Sequence, residues 1–463
     1  WYDIQLGSAD EALYKPRDSR ELILTKMLED IDYAINSGGL TESAADPYHV
    51  NKWAALALKA QFCLYEGTWR KYHGLDGSEE WLRACVAASE ELMGDSPYSL
   101  VSTAGEETTN YSKVFKSEEP QYTEVILANE FNATLNRFHD ASWYYASGSY
   151  GQRNSGPKAF VNMYLNLDGT RFTDKDGYNK TQFKDEFAGR DYRLRQTFIT
   201  PYYVKKVGGK ETNEFAKVFP GLTTQLTYYR IIKWNTDDDA NESNTSSANS
   251  LPVFRYAEIL LNEAEAKAEL GTLSDDDLNI TVNEIRSRVG MPALTMRDLD
   301  KQPDWYLSSE EYGYPNVTGP NQIVNAILEI RRERAVELIQ EGFRLQDLYR
   351  WKAGYCIDQA ISGMYFPGPG EYKLAGKETA DLILYKAGET KPQAGEGVSV
   401  YELGSDIILS EGNKGYVYYH KTVENLRTPF NEERDYLYPI PSGERSLNPN
   451  LTQNPGWSDG LDF

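Results

Sequence analysis

Three glutamates, Glu333, Glu337 and Glu341, recur every fourth residue in RRERAVELIQEGFRLQDLYRWK, residues 331–352. At this spacing they share one face of a helix. Paired carboxylates are the groups that hydrolyse glycosidic bonds, one acting as acid and the other as base or nucleophile. The alternative is structural, with the nearby arginines as ion-pair partners of the glutamates. No nucleophile motif or cleft accompanies them, which favours architecture over catalysis.

Metal-ligating residue types also occur, but without the spacing that a site requires. Asp237, Asp239 and Asn241 alternate as in a calcium loop. Glu242 stands where that loop needs glycine, and Ala248 where it needs glutamate, so a solvated loop is favoured. The histidines show no zinc spacing; they are His49, His73, His139 and His420. We therefore predict no metal and no cofactor.

The three cysteines fit neither a disulfide framework nor a zinc site. Cys63 and Cys85 lie on two predicted helices that could pair, so one alternative is a disulfide between them. The other is that they and Cys356 are buried free thiols, because cysteine is among the most buried residue types.

The chain is acidic, with 463 residues and a formal net charge of −22 at pH 7. Such a charge argues against nucleic acid and against anionic lipid as partners. No apolar run is long enough to span a bilayer. Residues 1–22 lack the basic and apolar regions of a signal peptide, so we expect none in this chain.

Aromatic residues are abundant, with 34 Tyr, 16 Phe and 9 Trp. Tyrosine and tryptophan combine an apolar body with a polar group, which suits wet recognition surfaces such as those that bind sugars. Large domains also bury many aromatic rings. Composition alone therefore leaves a sugar-binding surface and a rich core equally open.

Apolar spacing predicts the helices that must position these residues. Glycines at 67 and 94 are expected to end the second and third helices, and Ser78 to begin the third. The predicted helical segments are 19–35, 51–67, 78–94, 252–271, 274–292, 321–342 and 343–354.

Two of these helices resemble repeats of one another. Aligning Gly67 with Gly271 also aligns Leu56 with Leu260, and small residues recur where two helices would touch. Helix pairs of this kind are typical of tetratricopeptide-like units, here interrupted by long insertions. We therefore predict that 51–67 and 79–93 are antiparallel neighbours.

The predicted fold class is α-dominated (α+β), with interrupted helix pairs and short β segments in a single domain, 1–463. The helix-pair scaffold comprises 19–94, 253–290 and 321–353, and the loop-rich insertions are 95–250, 291–320 and 357–435. Strand-like runs are expected at 381–388, 398–404 and 415–421.

Several segments together resemble the SusD/RagB family. IRRERAVELIQEGFRLQDLYRWK looks like that family's signature helix pair. In the same chain order, KAFVNMYLNLDGTRF, FAGRDYRLRQTFI, PVFRYAEILLNEAEAKAELG, VNEIRSRVGMP and YLYPIPSGERSLNPNLTQNPGW are similar to other family regions. The resemblance implies a SusD-like fold in an outer-membrane, surface-exposed lipoprotein that binds glycans without cleaving them. It also implies a partner, a SusC-like TonB-dependent transporter that receives the oligosaccharide.

The chain departs from this family at its start. Family members begin with a lipidated cysteine and helices that precede a GDxPW-like stretch. Trp1, Tyr2 and Asp3 look like the inside of that stretch. We therefore expect the lipid anchor to belong to an N-terminal segment absent from this sequence.

In the resembled family, ligand-binding aromatics come from loops near the first helix pair and from the insertion before the signature helix. Here the insertion is LDKQPDWYLSSEEYGYPNVTGPNQ, 299–322, and the other candidate segments are GTWRKYHG, 67–74, and ASWYYASGSYG, 141–151. We expect a platform centred on Trp305 and Tyr306. The other predicted ligand-binding residues are Tyr314, Tyr72, Trp143 and Tyr365, with Asn316 or Asn321 orienting sugar hydroxyls. The alternative is that these rings pack the loops onto the body of the protein.

The remaining tryptophans divide by context. Trp53, Trp81 and Trp351 are predicted to be core and Trp457 structural. Trp1 and Trp69 fall in loop-like sequence, and the context of Trp234 does not decide between core and surface.

Two rival functions remain beside glycan capture. One is a helical glycoside hydrolase, which would lose turnover when single acids are mutated. The other is a scaffold that binds only protein, which sugar-dependent quenching of tryptophan fluorescence would contradict.

Overall fold

A computed structural model describes residues 1–146, 155–212, 227–374, 378–418 and 428–461. The α-dominated class predicted from the sequence is confirmed, since helices outnumber short strands throughout the described chain. The helices are α1 Arg20–Asn36, α2 Lys52–His73, α3 Ser78–Asp95, α4 Asn110–Lys116, α5 Ala141–Ala146, α6 Lys158–Met163, α7 Phe183–Glu186, α8 Tyr192–Thr197, α9 Tyr256–Leu270, α10 Asp275–Ile280, α11 Val282–Ser287, α12 Met296–Leu299, α13 Asn321–Glu337, α14 Arg344–Arg350 and α15 Ser442–Leu447. The strands are β1 Val125–Asn129, β2 Lys205–Val207, β3 Lys210–Thr212, β4 Leu251–Arg255, β5 Ser362–Phe366, β6 Gly370–Tyr372, β7 Leu382–Tyr385, β8 Ser399–Glu402 and β9 Gly415–Tyr418.

Helices α2 and α3 form the predicted antiparallel pair. Lys52, at the start of α2, pairs with Glu91, near the end of α3, at 3.1 Å. At the other end of the pair, the Ser78 hydroxyl donates to the Gly67 carbonyl at 2.7 Å. Residue numbers that rise along α2 thus meet numbers that fall along α3, which is the antiparallel register.

The predicted end of α2 at Gly67 is wrong. The helix continues to His73, and Gly74, with φ of 72°, provides the left-handed cap. A Cβ on Gly67 would lie 2.8 Å from Leu82 Cγ, so this glycine permits close contact between α2 and α3. The predicted start and end of α3 are corrected as well, because Ser78 is its first residue, Gly77 is its cap, and Gly94 lies inside it.

Helix α9 packs against α2, α3 and α13, so the later helices complete a bundle with the first pair. The sequence placed its start at 252, but 251–255 form β4, which pairs antiparallel with β1. Gly271 caps α9 with φ of 71°, whereas Gly67 lies inside α2. The glycine alignment thus equates different positions, although Leu56 and Leu260 are both buried. The segment predicted as one helix at 274–292 is broken at Thr281, where ψ is −94°.

Helix α13 is buried on all sides, which explains the charged residues of the 331–352 stretch. Every residue from 324 to 337 is buried, including its arginines and glutamates. Glu333 accepts from Arg193 at 2.8 Å and from Arg286 at 2.6 Å, and Glu337 accepts from Arg255 at 2.7 Å. A structural role for these glutamates is confirmed. The expected partners on the same helix are wrong, because the arginines come from other elements that cover α13.

Short strands build the other side of the molecule. β5 pairs with β9, and β6, β7 and β8 form a three-stranded sheet. Strands β7, β8 and β9 lie within the three predicted strand segments, of which 419–421 fall outside the described residues, whereas β5 and β6 were not predicted. Their apolar residues share a core with α6, α8 and the 228–232 segment. This arrangement places β5 and β9 beside the loops that carry the candidate site.

Candidate ligand-binding site

Five aromatic side chains that keep some exposure form one surface, which we call the aromatic platform: Tyr178, Trp305, Tyr312, Tyr365 and Tyr416. They come from three distant parts of the chain. Trp305 is 46% exposed, whereas the other eight tryptophans are buried or half-buried. The other four rings are half-buried. The platform is therefore a shallow surface open to solvent rather than a closed cavity.

Ring contacts connect the members of the platform. The Trp305 and Tyr178 ring centroids are 6.0 Å apart, and those of Tyr365 and Tyr416 are 5.5 Å apart, both pairs edge to face. Burial and Glu311 raise the pKa of Tyr312, and the hydroxyls of Tyr178 and Tyr416 raise it further. Tyr306 connects two of these rings, since its ring centroid lies 6.4 Å from that of Tyr178 and 4.5 Å from that of Tyr312.

Strands β5 and β9 fix two of the rings. Tyr365 and Tyr416 are directly paired across this antiparallel ladder, so their side chains leave the same face of the sheet. Gly415, beside Tyr416, has φ of 109°, a conformation that favours glycine. The strand pairing holds the two rings in place without any ligand.

A buried layer supports Trp305 and Tyr312 from below. Tyr306 is only 1% exposed; its hydroxyl donates to the Ala159 carbonyl at 3.0 Å, and its ring stacks on Tyr312 at 4.5 Å. Asp304 accepts from the backbone N–H groups of Tyr306 and Leu307 at 2.9 and 3.1 Å. Although burial opposes it, the guanidinium groups of Arg332 and Arg171 hold the pKa of Asp304 below its usual value. The loop is thus fixed by an ionised, buried carboxylate.

Polar groups stand at the edge of the platform. The Trp305 indole N–H donates to the exposed Asp174 carboxylate at 3.1 Å. Burial raises the pKa of Tyr416 to about 12, while the nearby side chain of Asn179 acts in the opposite direction. Asp174 and Asn179 therefore place an acceptor and an amide next to the exposed rings.

The structure brings together only part of the predicted set. Trp305 and Tyr365 lie on the platform, and Tyr306 lies beneath it instead of on the surface as expected. Tyr314, also 1% exposed, packs against Arg331 with Trp351 in the core. Tyr306 and Tyr314 present no free ring face to a ligand, so we assign them a supporting role.

Tyr72 and Asn316 are held by other structural contacts. The Tyr72 hydroxyl donates to Glu269 at 2.8 Å, and Arg331 covers its ring at 4.8 Å. Asn316 donates to the Trp351 carbonyl at 2.7 Å. Asn321 is the first residue of α13 and is exposed. Trp143 lies on α5 against Tyr144, with their ring centroids 5.1 Å apart. Of the predicted segment 141–151, residues 147–151 fall outside the described chain.

The segment 67–74 was predicted to be a loop that carries ligand-binding aromatics, and its loop conformation is wrong, because α2 continues through His73. Trp69 is buried between the rings of Tyr65 and His73 on α2. Trp53 and Trp351 are core as predicted, Trp81 is half-buried, and Trp457 donates to the Leu437 carbonyl at 2.8 Å. Trp234, which the sequence left open, is buried and donates to the Gln340 carbonyl.

Sequence reasoning missed two platform residues, Tyr178 and Tyr416, whereas Tyr312 lies in the candidate insertion 299–322. Tyr178 follows the turn sequence Asp176-Gly177, and Tyr416 alternates with the buried Val417 along a predicted strand. Each pattern indicates a ring on a surface. Neither shows that the two segments meet Trp305, because that proximity depends on the tertiary fold.

Glu333 and Glu337 lack the raised pKa that a catalytic acid in a glycoside hydrolase requires. A hydrolase needs one acid with a raised pKa beside a second carboxylate. Although burial opposes it, arginines keep the pKa values of Glu333 and Glu337 below the usual range. Among the described residues, raised carboxyl pKa values are resolved at Glu258 and Glu263, both buried within α9.

The described residues contain no cluster of three or more histidine, cysteine or acidic side chains that could hold a metal ion. The acids of the 237–242 loop face lysines: Asp238 pairs with Lys206 at 2.9 Å, and Asp237 pairs with Lys116. Cys63, Cys85 and Cys356 are free thiols, the first two buried. Within the described chain, no helix has the length and apolar character needed to cross a membrane.

Sequence comparison gives one family for most of the chain. The profile of the SusD family matches residues 123–457. Two proteins of Formosa agariphila, both named SusD-like, are 23% and 24% identical to this chain over 357 and 385 residues. The alignments cover 72% and 78% of this chain but 56% and 63% of the relatives, so the chain spans less than two thirds of their length.

Structure comparison gives the same result for the fold. A SusD-like protein of Bacteroides fragilis superposes with a TM-score of 0.62 at 19% identity, over 98% of this chain and 74% of that one. A SusD-like carbohydrate binding protein of the same organism gives 0.63 at 21% identity, over 96% and 74%. These identities are low, so the likeness concerns the fold.

Proposed function

This chain belongs to the SusD family, and from that premise we propose that it is a cell-surface glycan-binding protein that captures oligosaccharides without cleaving them. The observation that carries the proposal is the aromatic platform. Its rings are exposed in part and held rigidly from below, which is the arrangement that a stacking surface requires. A structural relative described as a carbohydrate binding protein supports the same substrate class.

The chemistry of the platform suits the uncharged ring of a sugar. Sugar rings present C–H faces that pack on aromatic rings, and their hydroxyls need donors and acceptors at the edge. Trp305 and Tyr178 supply the faces, while Asp174 and Asn179 supply the polar groups. Because the platform is shallow, we expect affinities of micromolar to millimolar, or about −4 to −8 kcal/mol. An intermediary in transport must also release its cargo.

We assign no catalytic residues. Of the glutamates that first suggested hydrolysis, Glu333 and Glu337 are bound by arginines inside the fold and lie on the buried helix α13, whereas Glu341 lies beyond its end. Their lowered pKa values make them poor proton donors. Capture without turnover is therefore the function that the arrangement favours over a helical glycoside hydrolase.

The proposed partner is a SusC-like TonB-dependent transporter, to which the protein would deliver its oligosaccharide. The proposed location is the extracellular face of the outer membrane, through a lipid anchor. Family membership supports both statements. Extraction from native membranes in mild detergent should recover the protein together with a transporter, and repeated recovery of the protein alone would contradict this partner.

A glycan array with the purified chain tests the proposed function. We expect retention of at least one class of oligosaccharide, with tryptophan fluorescence quenched by the same ligands because Trp305 lies on the platform. Chromatography of the incubated ligand should show no shorter products. Products that depend on the protein would instead establish a hydrolase, and an array without any binding would leave a protein-binding scaffold as the better interpretation.

A further inference from the structure

A separate cavity of about 280 Å³ lies next to the aromatic platform. It is formed between α6 and the bend that joins α13 to α14. Apolar side chains make up much of its wall, and Tyr312, which belongs to the platform, lines it as well. Its lining includes Phe160, Met163, Leu338, Phe343, Arg344 and Cys356. Tyr312 thus separates the platform from the cavity, and a ligand on the platform can extend past its ring into the cavity.

Arg344 is the unusual residue of this cavity. Its Nη1 atom is buried and has no hydrogen-bond partner, and among the described residues no carboxylate forms an ion pair with this side chain. Its recorded contacts include the faces of Tyr314 and Trp351, 5.8 and 6.0 Å from the guanidinium carbon. Although burial opposes it, the nearby Tyr314 hydroxyl raises the pKa of Arg344, and this hydroxyl is likewise buried without a hydrogen-bond partner. Buried polar groups without partners are costly, so this arrangement favours a ligand that supplies an acceptor.

The nearest acid is already occupied. Asp347, also in the cavity wall, pairs with Arg334 at 2.9 Å and with Arg350 at 2.9 Å. Arg350 also donates to Glu265 at 2.8 Å, and Arg334 lies 3.8 Å from the same carboxylate. The acids around the cavity are thus paired with Arg334 and Arg350, so no carboxylate is left to neutralise the charge of Arg344. In a chain of net charge −22, the wall of this cavity is locally positive.

We propose that this cavity is a second subsite that takes an anionic substituent, a carboxylate or a sulfate, of the glycan held on the platform. The inference rests on the proposed function and adds the substrate class, an acidic oligosaccharide. The planar guanidinium of Arg344 presents a fork of N–H donors that matches either oxyanion. The apolar wall lies against the sugar ring, and the oxyanion supplies the acceptor that Nη1 lacks.

Matched ligands provide the first test. An oligogalacturonide and its fully methyl-esterified form share one backbone and differ in charge, and a sulfated oligosaccharide and its desulfated form make the second pair. We expect the charged member of one pair to bind at least tenfold more tightly by calorimetry, and the preferred pair identifies the oxyanion. Sodium sulfate alone at the same concentration controls for free anion.

Variants provide the second test. Arg344→Gln should remove the preference for the charged member and leave the affinity for the neutral member unchanged. Arg83→Gln, which removes an exposed arginine on α3, is the matched control and should keep the preference. Because Arg344 also contacts two rings, Ala159→Phe is made in parallel. It fills the cavity from a half-exposed position, leaves Arg344 in place, and should also abolish the preference.

Cys356 reports occupancy without any mutation. It lines the cavity and is partly exposed, whereas Cys63 and Cys85 are fully buried, so a thiol reagent should modify Cys356 first. Burial raises the pKa of Cys356 to about 11, so the reaction is followed near pH 9. The charged oligosaccharide should slow modification and the neutral one should not.

The outcomes separate the two proposals. Glycan binding that is lost in Trp305→Ala but is indifferent to charge, to Arg344→Gln and to Ala159→Phe overturns the anionic subsite and leaves the proposed function intact. A chain that binds no oligosaccharide, charged or neutral, overturns both. Equal slowing of Cys356 modification by sulfate alone would show an anion site unrelated to glycans, which also contradicts the subsite.

Discussion

Trp305 and Glu258 show how differently single residues can be placed by one fold. The Trp305 ring keeps 46% of its surface exposed and is held at its edge by Asp174. The Glu258 carboxyl is almost fully buried and accepts from Gln61 at 3.0 Å. Trp305 is available to a ligand at small cost to stability. The Glu258 carboxyl instead makes stability depend on pH.

Burial raises the pKa of Glu258 to about 7, although Arg334 acts against the shift. Because the folded pKa is raised, the stabilisation is complete below the unfolded pKa of about 4.3 and is lost as pH rises through 7. Glu258→Gln removes this dependence. Between pH 5 and pH 8, the variant should gain a few kcal/mol relative to wild type, since one pKa unit is worth about 1.4 kcal/mol.

Urea unfolding of both proteins across this range measures the difference. Glu79→Gln, which removes an exposed carboxylate on α3, is the control and should follow wild type. A constant difference between Glu258→Gln and wild type from pH 5 to pH 8 would show that Glu258 is ionised in the folded protein throughout.

At the scale of elements, the contact between α2 and α3 depends on one glycine. Gly67→Ala should lower the free energy of unfolding by about 1–3 kcal/mol, because the new Cβ would overlap Leu82. This loss outweighs the gain of about 1 kcal/mol that alanine brings to a helix. Gly94→Ala is the matched control: it lies inside α3 with open space around it, and should stabilise the protein. Equal effects of the two substitutions would refute the close contact.

Leucines on either side of the bend between α13 and α14 differ in the same way. Leu338 is buried, and Leu338→Ala should cost about 2–5 kcal/mol as a core truncation. Leu345, on α14, is by contrast 41% exposed. Leu345→Ala should therefore change stability by less than about 0.5 kcal/mol in denaturant unfolding. A loss of less than about 0.5 kcal/mol in the free energy of unfolding of Leu338→Ala would show that Leu338 is not part of the core.

Periodicity predicted which helices exist better than where they end. Helix α1 begins after Ser19, whose hydroxyl accepts from Leu22, as its sequence indicates. The helix ends predicted at Gly67 and Gly94 were wrong, because a single sequence does not distinguish a glycine that ends a helix from one inside it. Strand β4 was missed because its residues run directly into α9 without a turn.

The candidate site was predictable only in part, for a different reason. Trp305 lies in a loop rich in proline and glycine, so its exposure could be expected. Its neighbours Tyr178 and Tyr416 come from segments more than a hundred residues away, and no local pattern reports that distance. Burial of Tyr306 depends on the Ala159 carbonyl, another long-range contact.

At the scale of the whole molecule, the negative net charge contrasts with the arginines buried at its centre. Arg193, Arg255 and Arg288 are all buried around α13 with their carboxylate partners. Because these arginines are buried together with carboxylates, their charges offset one another, and the net charge of −22 is carried by the rest of the chain. Against that negative charge, the cavity wall at Arg344 is a local positive site suited to an anionic ligand.

The same buried pairs predict unfolding in acid. Although burial opposes it, Arg350 and Arg334 hold the pKa of Glu265 at about 2, and arginines lower those of Glu333 and Glu337 as well. Depressed pKa values stabilise the fold above the unfolded pKa of about 4.3 and lose that effect as pH falls through the folded values. Stability should therefore fall between about pH 4 and pH 2. Circular dichroism in that range checks this, and constant stability would contradict it.

The most direct measurement of the central claim is calorimetry of Trp305→Ala with an oligosaccharide that the wild-type chain binds. We expect at least a tenfold loss of affinity with almost no change in melting temperature, because an exposed loop ring contributes little to the core. Tyr33→Ala, which removes a ring that is 76% exposed on α1, should bind as wild type does. Wild-type affinity in Trp305→Ala, or unfolding of that variant, would contradict the claim that this platform captures glycans.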